Sequence, residues 1–177
     1  GTGLIERFEA GYEAGAKAVD PDVEILVEYI GDDVTAFNEP TKGEALSNKM
    51  YDEGADIIYH AAGASGAGLF KAAVEQGGLA IGVDQDQSLT ASPEQQEVIL
   101  TSMLKRVDTA VFNVIQQVAE DTFQPGSITL GMAEEGVDYA VNEFNDNEDL
   151  LSQDIQAEIE NYKQQIIDGE ITVPDAP

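Results

Sequence analysis

The chain has 177 residues, of which 42% are hydrophobic, enough for a hydrophobic core in one large domain or two small ones. Its 8 Lys and Arg residues stand against 35 Asp and Glu residues, which gives a formal net charge of −27 at pH 7. A polyanion gains nothing from counterion release on nucleic acid and is repelled by an anionic membrane surface. We therefore expect neither nucleic acid nor a membrane surface as a partner.

The acidic residues are spread along the whole chain, a distribution typical of proteins that stay soluble at high salt. At molar salt the Debye length falls to about 3 Å and the self-repulsion is screened, so we expect a halophilic source. The absence of Cys removes disulfides, thiolate metal sites and a cysteine nucleophile. The sequence contains neither an apolar run of the ~20 residues that span a membrane nor a signal segment.

The first half of the chain alternates helix and strand patterns. Apolar residues at three-to-four residue spacing predict helices, and Val- and Ile-rich runs bounded by turn residues predict strands. In chain order the predicted elements are an opening helix that ends at Asp20-Pro21, a strand over Val23–Gly31, the loop DDVTAFNEP, a helix over Pro40–Gly54, the strand ADIIYHAAG, the turn and helix GASGAGLFKAAVEQGG, and a strand over Leu79–Asp84. This alternation predicts an α/β fold with a parallel sheet flanked by helices. An opening helix usually follows a strand, so we expect the first strand of the domain to precede these residues.

The pattern changes after Asp84, and the polar run near Gln87–Gln96 is the predicted internal boundary. VILTS predicts a short strand, and MLKRVDTAVFNVIQQVAED predicts a long helix whose Val107, Val111, Val114, Ile115 and Val118 face inward. Two further strand candidates are GSITLGM and GVDYAV, and an acidic amphipathic helix is predicted over Glu148–Gly169.

Ligands of open parallel sheets bind beyond the carboxyl ends of the strands, where three predicted loops lie. These loops carry Phe37, the Gly63–Gly68 turn, and Asp84 with Asp86; the adjacent cations Lys105 and Arg106 are a fourth candidate. An aromatic face, a close backbone approach, a carboxylate and a cation together fit a ligand with a flat ring and a polyhydroxyl part.

Each candidate also has a structural interpretation. Phe37 is also explained by loop packing, the glycines by a tight strand-to-helix turn, Asp84 by capping, and Lys105 with Arg106 by a surface ion pair. His60 lies within a strand pattern without a second histidine, so we expect a structural role for it and no metal site. We find no nucleophile and base pair, and so predict no catalytic residues and no cofactor.

Several linked motifs resemble one known family. They are FEAGYEAG from Phe8 to Gly15, the run YIGDDVTAFNEPTKGEALSNKMYDEGADIIYHAAGASGAG, GVDQDQ, LTSMLKRVD and the ending IIDGEITVP. Together they resemble the basic membrane lipoprotein family, the substrate-binding proteins of ABC transporters. The resemblance implies a type I periplasmic-binding-protein-like fold, in which two α/β lobes are hinged around a cleft. Residues 1–100 would then be the C-terminal ligand-binding lobe without its first strand, and residues 101–177 the hinge and trailing segments that pack partly on the N-terminal lobe.

The resemblance also implies roles for particular residues. Phe37 would stack on a purine, Gly63 would line the pocket with its backbone, and Asp84 and Lys105 would bind the ribose hydroxyls. The implied function is nucleoside binding without catalysis, for delivery to an ABC transporter permease. The implied location is extracytoplasmic, with a lipid anchor outside this sequence.

Two other functions remain open at this stage. A cytoplasmic or membrane-anchored regulator that senses a ligand could use the same fold, and a segment upstream of this sequence would distinguish it. An enzyme acting on nucleosides would need Asp84 and Asp86 to hold a divalent metal, and it would release free base in a metal-dependent reaction.

Overall fold

A computed structural model describes residues 3–174 and 176–177. Gly1 and Thr2, the start of the predicted opening helix, lie outside the described residues. The helices are α1 (Gly3–Val19), α2 (Pro40–Asp52), α3 (Ala67–Gln76), α4 (Pro93–Gln96), α5 (Val107–Ala119) and α6 (Gln153–Ile167). The strands are β1 (Ile57–Tyr59), β2 (Leu79–Asp84), β3 (Ile99–Lys105) and β4 (Val137–Tyr139), and short 3-10 turns span Val34–Asn38, Gly63–Gly66 and Gln87–Thr90.

The four strands form one mixed sheet in the order β1-β2-β3-β4. The pairs β1–β2 and β2–β3 are parallel, as the alternation predicts, and β4 adds an antiparallel edge beside β3. The parallel strands therefore end at a common edge of the sheet, next to the turn at Gly63 and at Asp84 and Lys105.

Helices cover both faces of the parallel strands. On one face α2 and α3 pack on the sheet through a core that contains Ile58, Leu69, Phe70, Ala73, Ala80 and Ile99. On the other face Tyr12 of α1 meets Tyr59 of β1, with ring centroids 5.2 Å apart. Gly68 permits the close packing of α3 on α2, because a methyl group there would collide with the backbone of Pro40 and Glu44. The glycine-rich turn is thus explained by packing.

The predicted strand over Val23–Gly31 was wrong. These residues connect α1 to the turn at Val34 without regular secondary structure, and they join no sheet in the described part of the chain. Side chains hold the segment in place, through the Lys49–Glu28 ion pair and the Tyr29 hydroxyl that donates to Glu9. The Val- and Ile-rich composition predicts an extended backbone, but a strand also needs a neighbour with free backbone groups.

The second half departs further from the predictions. GSITLGM forms no strand, GVDYAV forms only the three residues of β4, and residues 103–105 of the predicted long helix belong to β3. The residues of α5 expected to face inward are exposed, from 42% at Val114 to 62% at Ile115, because no described element packs on this face. None of the described helices is long and apolar enough to cross a membrane.

Two asparagines attach the segment after β4 to the sheet and to the loop after β2. Asn145 is fully buried and donates through Nδ2 to the carbonyls of Leu100 and Ala140, at 3.1 and 2.9 Å. Asn142 donates to Asp86 at 2.8 Å, and Lys163 of α6 pairs with Asp138 of β4 at 3.1 Å. These contacts connect residues 137–167 to the lobe that carries the parallel strands.

Candidate ligand-binding site

An ion pair lies at the carboxyl ends of the two central strands. Lys105 is the last residue of β3, and its Nζ lies 2.8 Å from Oδ1 of Asp84, the last residue of β2. Parallel pairing places Asp84 beside Leu104, so Lys105 follows one residue later on the neighbouring strand. The side chains remain 42% and 52% exposed for Lys105 and Asp84, so a ligand can reach both charges. A pair this exposed contributes little to folding, at most about 1 kcal/mol.

Asp84 holds an unusual backbone conformation, with a φ of 69°. Non-glycine residues adopt this left-handed region rarely, although Asp tolerates it better than most. Such a conformation costs on the order of 1 kcal/mol and often occurs where a side chain must point in a fixed direction. The turn that ends β2 therefore directs this carboxylate toward Lys105.

Phe37 and Gly63 form a second pair at the same edge of the sheet. A methyl group on Gly63 would lie 3.2 Å from the carbonyl oxygen of Phe37 and 3.3 Å from its Cβ. Gly63 also has a φ of 56°, which disfavours any side chain there. The Phe37 side chain is only half-buried, so part of its ring is accessible to a ligand.

Two aromatic side chains that sequence reasoning missed lie beside the ion pair. The Phe8 ring of α1 lies under Lys105, with Nζ 5.0 Å from the ring centroid, a cation–π arrangement. Burial raises the pKa of Tyr59, and the nearby negative charge of Asp84 raises it further. Phe8 was passed over because its helical spacing fitted a core position, and Tyr59 because it lies within a buried strand pattern.

A groove separates the segment Val23–Gly31 from β1 and encloses about 190 Å³. Consecutive residues line both sides, Ile25 to Gly31 on one and Ile58 to Ala62 on the other. Phe37 and Tyr59 line the groove, whereas Gly63, Asp84 and Lys105 do not. The four residues predicted for the site therefore form two pairs at one edge, with Tyr59 between the groove and Asp84.

His60 is buried in a hydrogen-bonding network, as expected for a structural histidine. Its Nε2 lies 2.9 Å from Oε1 of Gln87, and its Nδ1 accepts from the backbone N–H of Ala62 at 3.4 Å. The same Gln87 oxygen accepts from Val83 N at 2.8 Å, so the network links the ends of β1 and β2. Burial lowers the pKa of His60, although the bond to Gln87 opposes this shift. The imidazole is therefore held in its neutral form.

The remaining candidates have partners of their own. Arg106 makes a two-point contact with Asp108, at 3.0 Å for each nitrogen, in place of a contact with the site. Asp86 accepts from Ser88 N at 3.2 Å and from Asn142 Nδ2 at 2.8 Å, so each of its carboxylate oxygens is engaged. Within the described residues no group of three or more His, Cys, Asp or Glu side chains could hold a metal ion.

The fold is shared with solved transport proteins. An ABC transporter solute-binding protein from Conexibacter woesei superposes with a TM-score of 0.79 at 22% identity, over 98% of this chain and 54% of that one. This likeness concerns the fold, in which helices flank a mixed sheet.

Two curated relatives align with nearly all of the chain. A CD4+ T-cell-stimulating antigen of Listeria monocytogenes is 38% identical over 98% of this chain and 50% of its own length. An ABC transporter nucleoside-binding protein, BmpA, of Lactococcus lactis is 32% identical over 97% of this chain and 50% of its own length. The chain thus spans about half the length of the curated relatives it matches. The model of the Bmp family, described as ABC transporter substrate-binding protein PnrA-like, matches residues 2–176. The chain therefore belongs to the Bmp family of ABC transporter substrate-binding proteins.

Proposed function

We propose that this chain supplies one lobe of a receptor that binds a nucleoside, without catalysis, for an ABC importer. The observation that carries the proposal is the accessible Asp84–Lys105 pair at the ends of β2 and β3, on the same edge of the sheet as Phe37. A carboxylate beside a cation suits a ribose, because it accepts hydrogen bonds from two neighbouring hydroxyls while the cation donates to a sugar oxygen.

The aromatic side chain suits the other half of such a ligand. A half-exposed Phe37 offers a face on which a purine or pyrimidine can stack, and Gly63 lets the turn after β1 lie close to Phe37. Stacking tolerates different bases, so the sugar contacts would provide most of the selectivity for nucleosides over other flat molecules. The Lactococcus lactis relative, named a nucleoside-binding protein, supports this ligand class.

We propose that residues 1–100 form the C-terminal lobe and that residues 101–177 contain hinge and trailing segments. The groove beside β1 supports the proposal that a further strand belongs to this lobe. His60 N donates to Ile81 O, and Leu79 N donates to Asp56 O. The backbone N–H and C=O groups of the even-numbered residues at β1 therefore point toward β2. The backbone groups of Ile57 and Tyr59 then point away from β2, and Tyr59 lines the groove. A strand from the rest of the protein would pair with them and with Val23–Gly31.

The exposed apolar face of α5 likewise supports the proposal that a second lobe packs on this chain. Phe112 is 65% exposed and Val111 53%, in a helix that follows directly on the site residue Lys105. We expect this face to pack on the N-terminal lobe in the whole receptor. The whole receptor would lie outside the cytoplasm on a lipid anchor, close over its ligand by a hinge motion, and deliver it to a transporter permease.

A thermal-shift titration tests the proposal on the full-length protein in molar KCl. Nucleosides are compared with free bases, ribose and amino acids. A ligand at 100 times its Kd stabilises the native state by about 2.7 kcal/mol, a visible shift in Tm. A shift with nucleosides alone supports the proposal, whereas a shift with amino acids or sugars alone, or with none of these compounds, contradicts the ligand class.

A further inference from the structure

Ser65 makes two hydrogen bonds to backbone groups that lie on either side of Phe37 in the sequence. Its side chain is fully buried. The Ser65 hydroxyl donates to the carbonyl of Ala36 at 2.6 Å and accepts from the backbone N–H of Glu39 at 2.7 Å. One bond therefore lies immediately before Phe37 and the other two residues after it, and both join the loop to the turn that follows β1.

The hydrogen bonds that shape the turn around Asp33 are local. Asp33 caps the 3-10 turn by accepting from Thr35 N at 2.8 Å, and Ala36 N donates to the carbonyl of Asp33 at 3.1 Å. Local bonds fix the shape of a turn but not its place on the lobe. Ser65 reaches across 29 residues to Ala36 and 26 to Glu39, so it fixes the position of the turn relative to the sheet.

Ser65 is itself held firmly. A methyl group on Gly43 of α2 would collide with the Ser65 carbonyl, and one on the adjacent Gly66 would collide with the His60 ring. Ser65 N also donates to the carbonyl of Ala62 at 3.1 Å. The hydroxyl thus projects from a closely packed turn toward a loop whose outer residue Val34 is 79% exposed. A hydroxyl fixed in a rigid turn can hold an exposed loop in one position before a ligand binds.

We propose that Ser65 is a positioning residue that holds the Phe37 ring in place before a ligand arrives. The inference rests on the proposed function, since it assigns Phe37 the stacking surface. Without the hydroxyl, the loop would have to be ordered on binding, which lowers affinity. We expect Ser65→Ala to weaken nucleoside binding by roughly fivefold to tenfold, the equivalent of about one hydrogen bond.

The first experiment reads the ring directly and needs no ligand. These 177 residues contain no Trp, so Phe37→Trp adds a reporter at this position, and its signal is taken as the difference from the protein that keeps Phe37. In the full-length protein, Ser65→Ala should raise the acrylamide quenching of that Trp by at least twofold and lower its anisotropy. Ser88→Ala is the matched control, because the Ser88 hydroxyl is equally buried but has no hydrogen-bond partner in the described part of the chain.

The second experiment measures adenosine and inosine affinity in proteins that keep Phe37. Ser65→Ala should weaken binding and Ser88→Ala should not, while Ser65→Cys, a variant of similar size with a weaker donor, should fall between wild type and alanine. Circular dichroism checks that each variant folds, and the cysteine variant serves if the alanine variant does not. If Ser65→Ala or Ser65→Cys lowers Tm but leaves quenching and affinity at control values, the positioning role is wrong. If wild type binds no nucleoside while quenching responds to Ser65, the proposed function fails and the positioning of Phe37 stands.

Discussion

Replacing Asp84 with asparagine removes the negative charge of the candidate site while keeping the size of the side chain. Asparagine is also among the few residues that tolerate a φ of 69°. Alanine would add backbone strain of about 1 kcal/mol at this position, so a loss of binding in Asp84→Ala would be harder to interpret. Asp84→Asn therefore isolates the contribution of the charge.

The expected loss follows from the exposure of the pair. A hydrogen bond to a charged group contributes about 1.5–3 kcal/mol, and the lower end applies because Asp84 is 52% exposed. Asparagine keeps one carbonyl acceptor, so we expect a loss of roughly 1.5–2 kcal/mol, about a 10- to 30-fold rise in Kd for a ribonucleoside. The free energy of unfolding should change by at most about 1 kcal/mol, since exposed ion pairs contribute little.

Isothermal titration calorimetry on the full-length protein measures the loss, with adenosine and 2′,3′-dideoxyadenosine as the two ligands. Asp84→Asn should weaken adenosine binding and leave the dideoxy analogue unaffected, because that analogue has no neighbouring hydroxyls. Asp108→Asn is the control, since it removes the same charge from an ion pair that lies outside the site. Equal losses for the two ligands, or no loss for adenosine, would show that Asp84 does not bind the diol.

Three further measurements test the electrostatics and the groove. Because the net charge is −27, Tm should rise steadily from dilute buffer to molar KCl, and a flat profile would contradict the expected salt requirement. Because burial lowers the pKa of His60, the unfolded chain binds its proton more readily, so stability is complete above the ordinary pKa of 6.5 and falls as the pH drops below it. Chemical denaturation between pH 5.5 and 7 measures this fall. His60→Gln should abolish this loss of stability, since the chain has no other histidine. If the dependence of stability on pH is unchanged in the variant, the loss is due to carboxylates. Hydrogen exchange should be fast at the amides of Ile57 and Tyr59 in the 177-residue chain and slow in the full-length protein if the proposed strand fills the groove there. Equal exchange in both would exclude that strand, with the Ile81 amide in the central strand as the protected reference.

The sequence predicts an element best where its neighbours lie in the same chain. β2 was predicted over Leu79–Asp84 and has those bounds, because an apolar run between turn residues is buried on both faces and paired on both edges. The segment Val23–Gly31 has a similar composition but no sheet partner among the described residues. Composition predicts extended backbone in both cases, and only the arrangement of neighbours determines which becomes a strand.

The candidate site shows the same division. The end of β2 at Asp84 could be predicted, whereas the end of β3 could not, because Lys105 was assigned to a helix and its ion pair with Asp84 depends on its place at the end of a strand. The contribution of Ser65 could not be predicted either, because a serine within a glycine-rich turn carries no signal of a bond 29 residues away. Phe8 was missed for the same reason, since its helical spacing does not reveal that Lys105 lies above it.

The apolar face of α5 extends this argument to the whole receptor. Its three-to-four residue spacing predicts an apolar face that is buried, but in the described part of the chain this face is exposed. The groove beside β1 makes the same point, since β1 lies at the edge of the sheet and no strand of the described residues lies between it and Val23–Gly31. Both features lie in a chain that matches about half the length of its curated relatives. One further stretch of polypeptide could account for both features, if it supplied a lobe that covers the apolar face of α5 and a strand that fills the groove. The same lobe would close the cleft over Phe37 and Asp84.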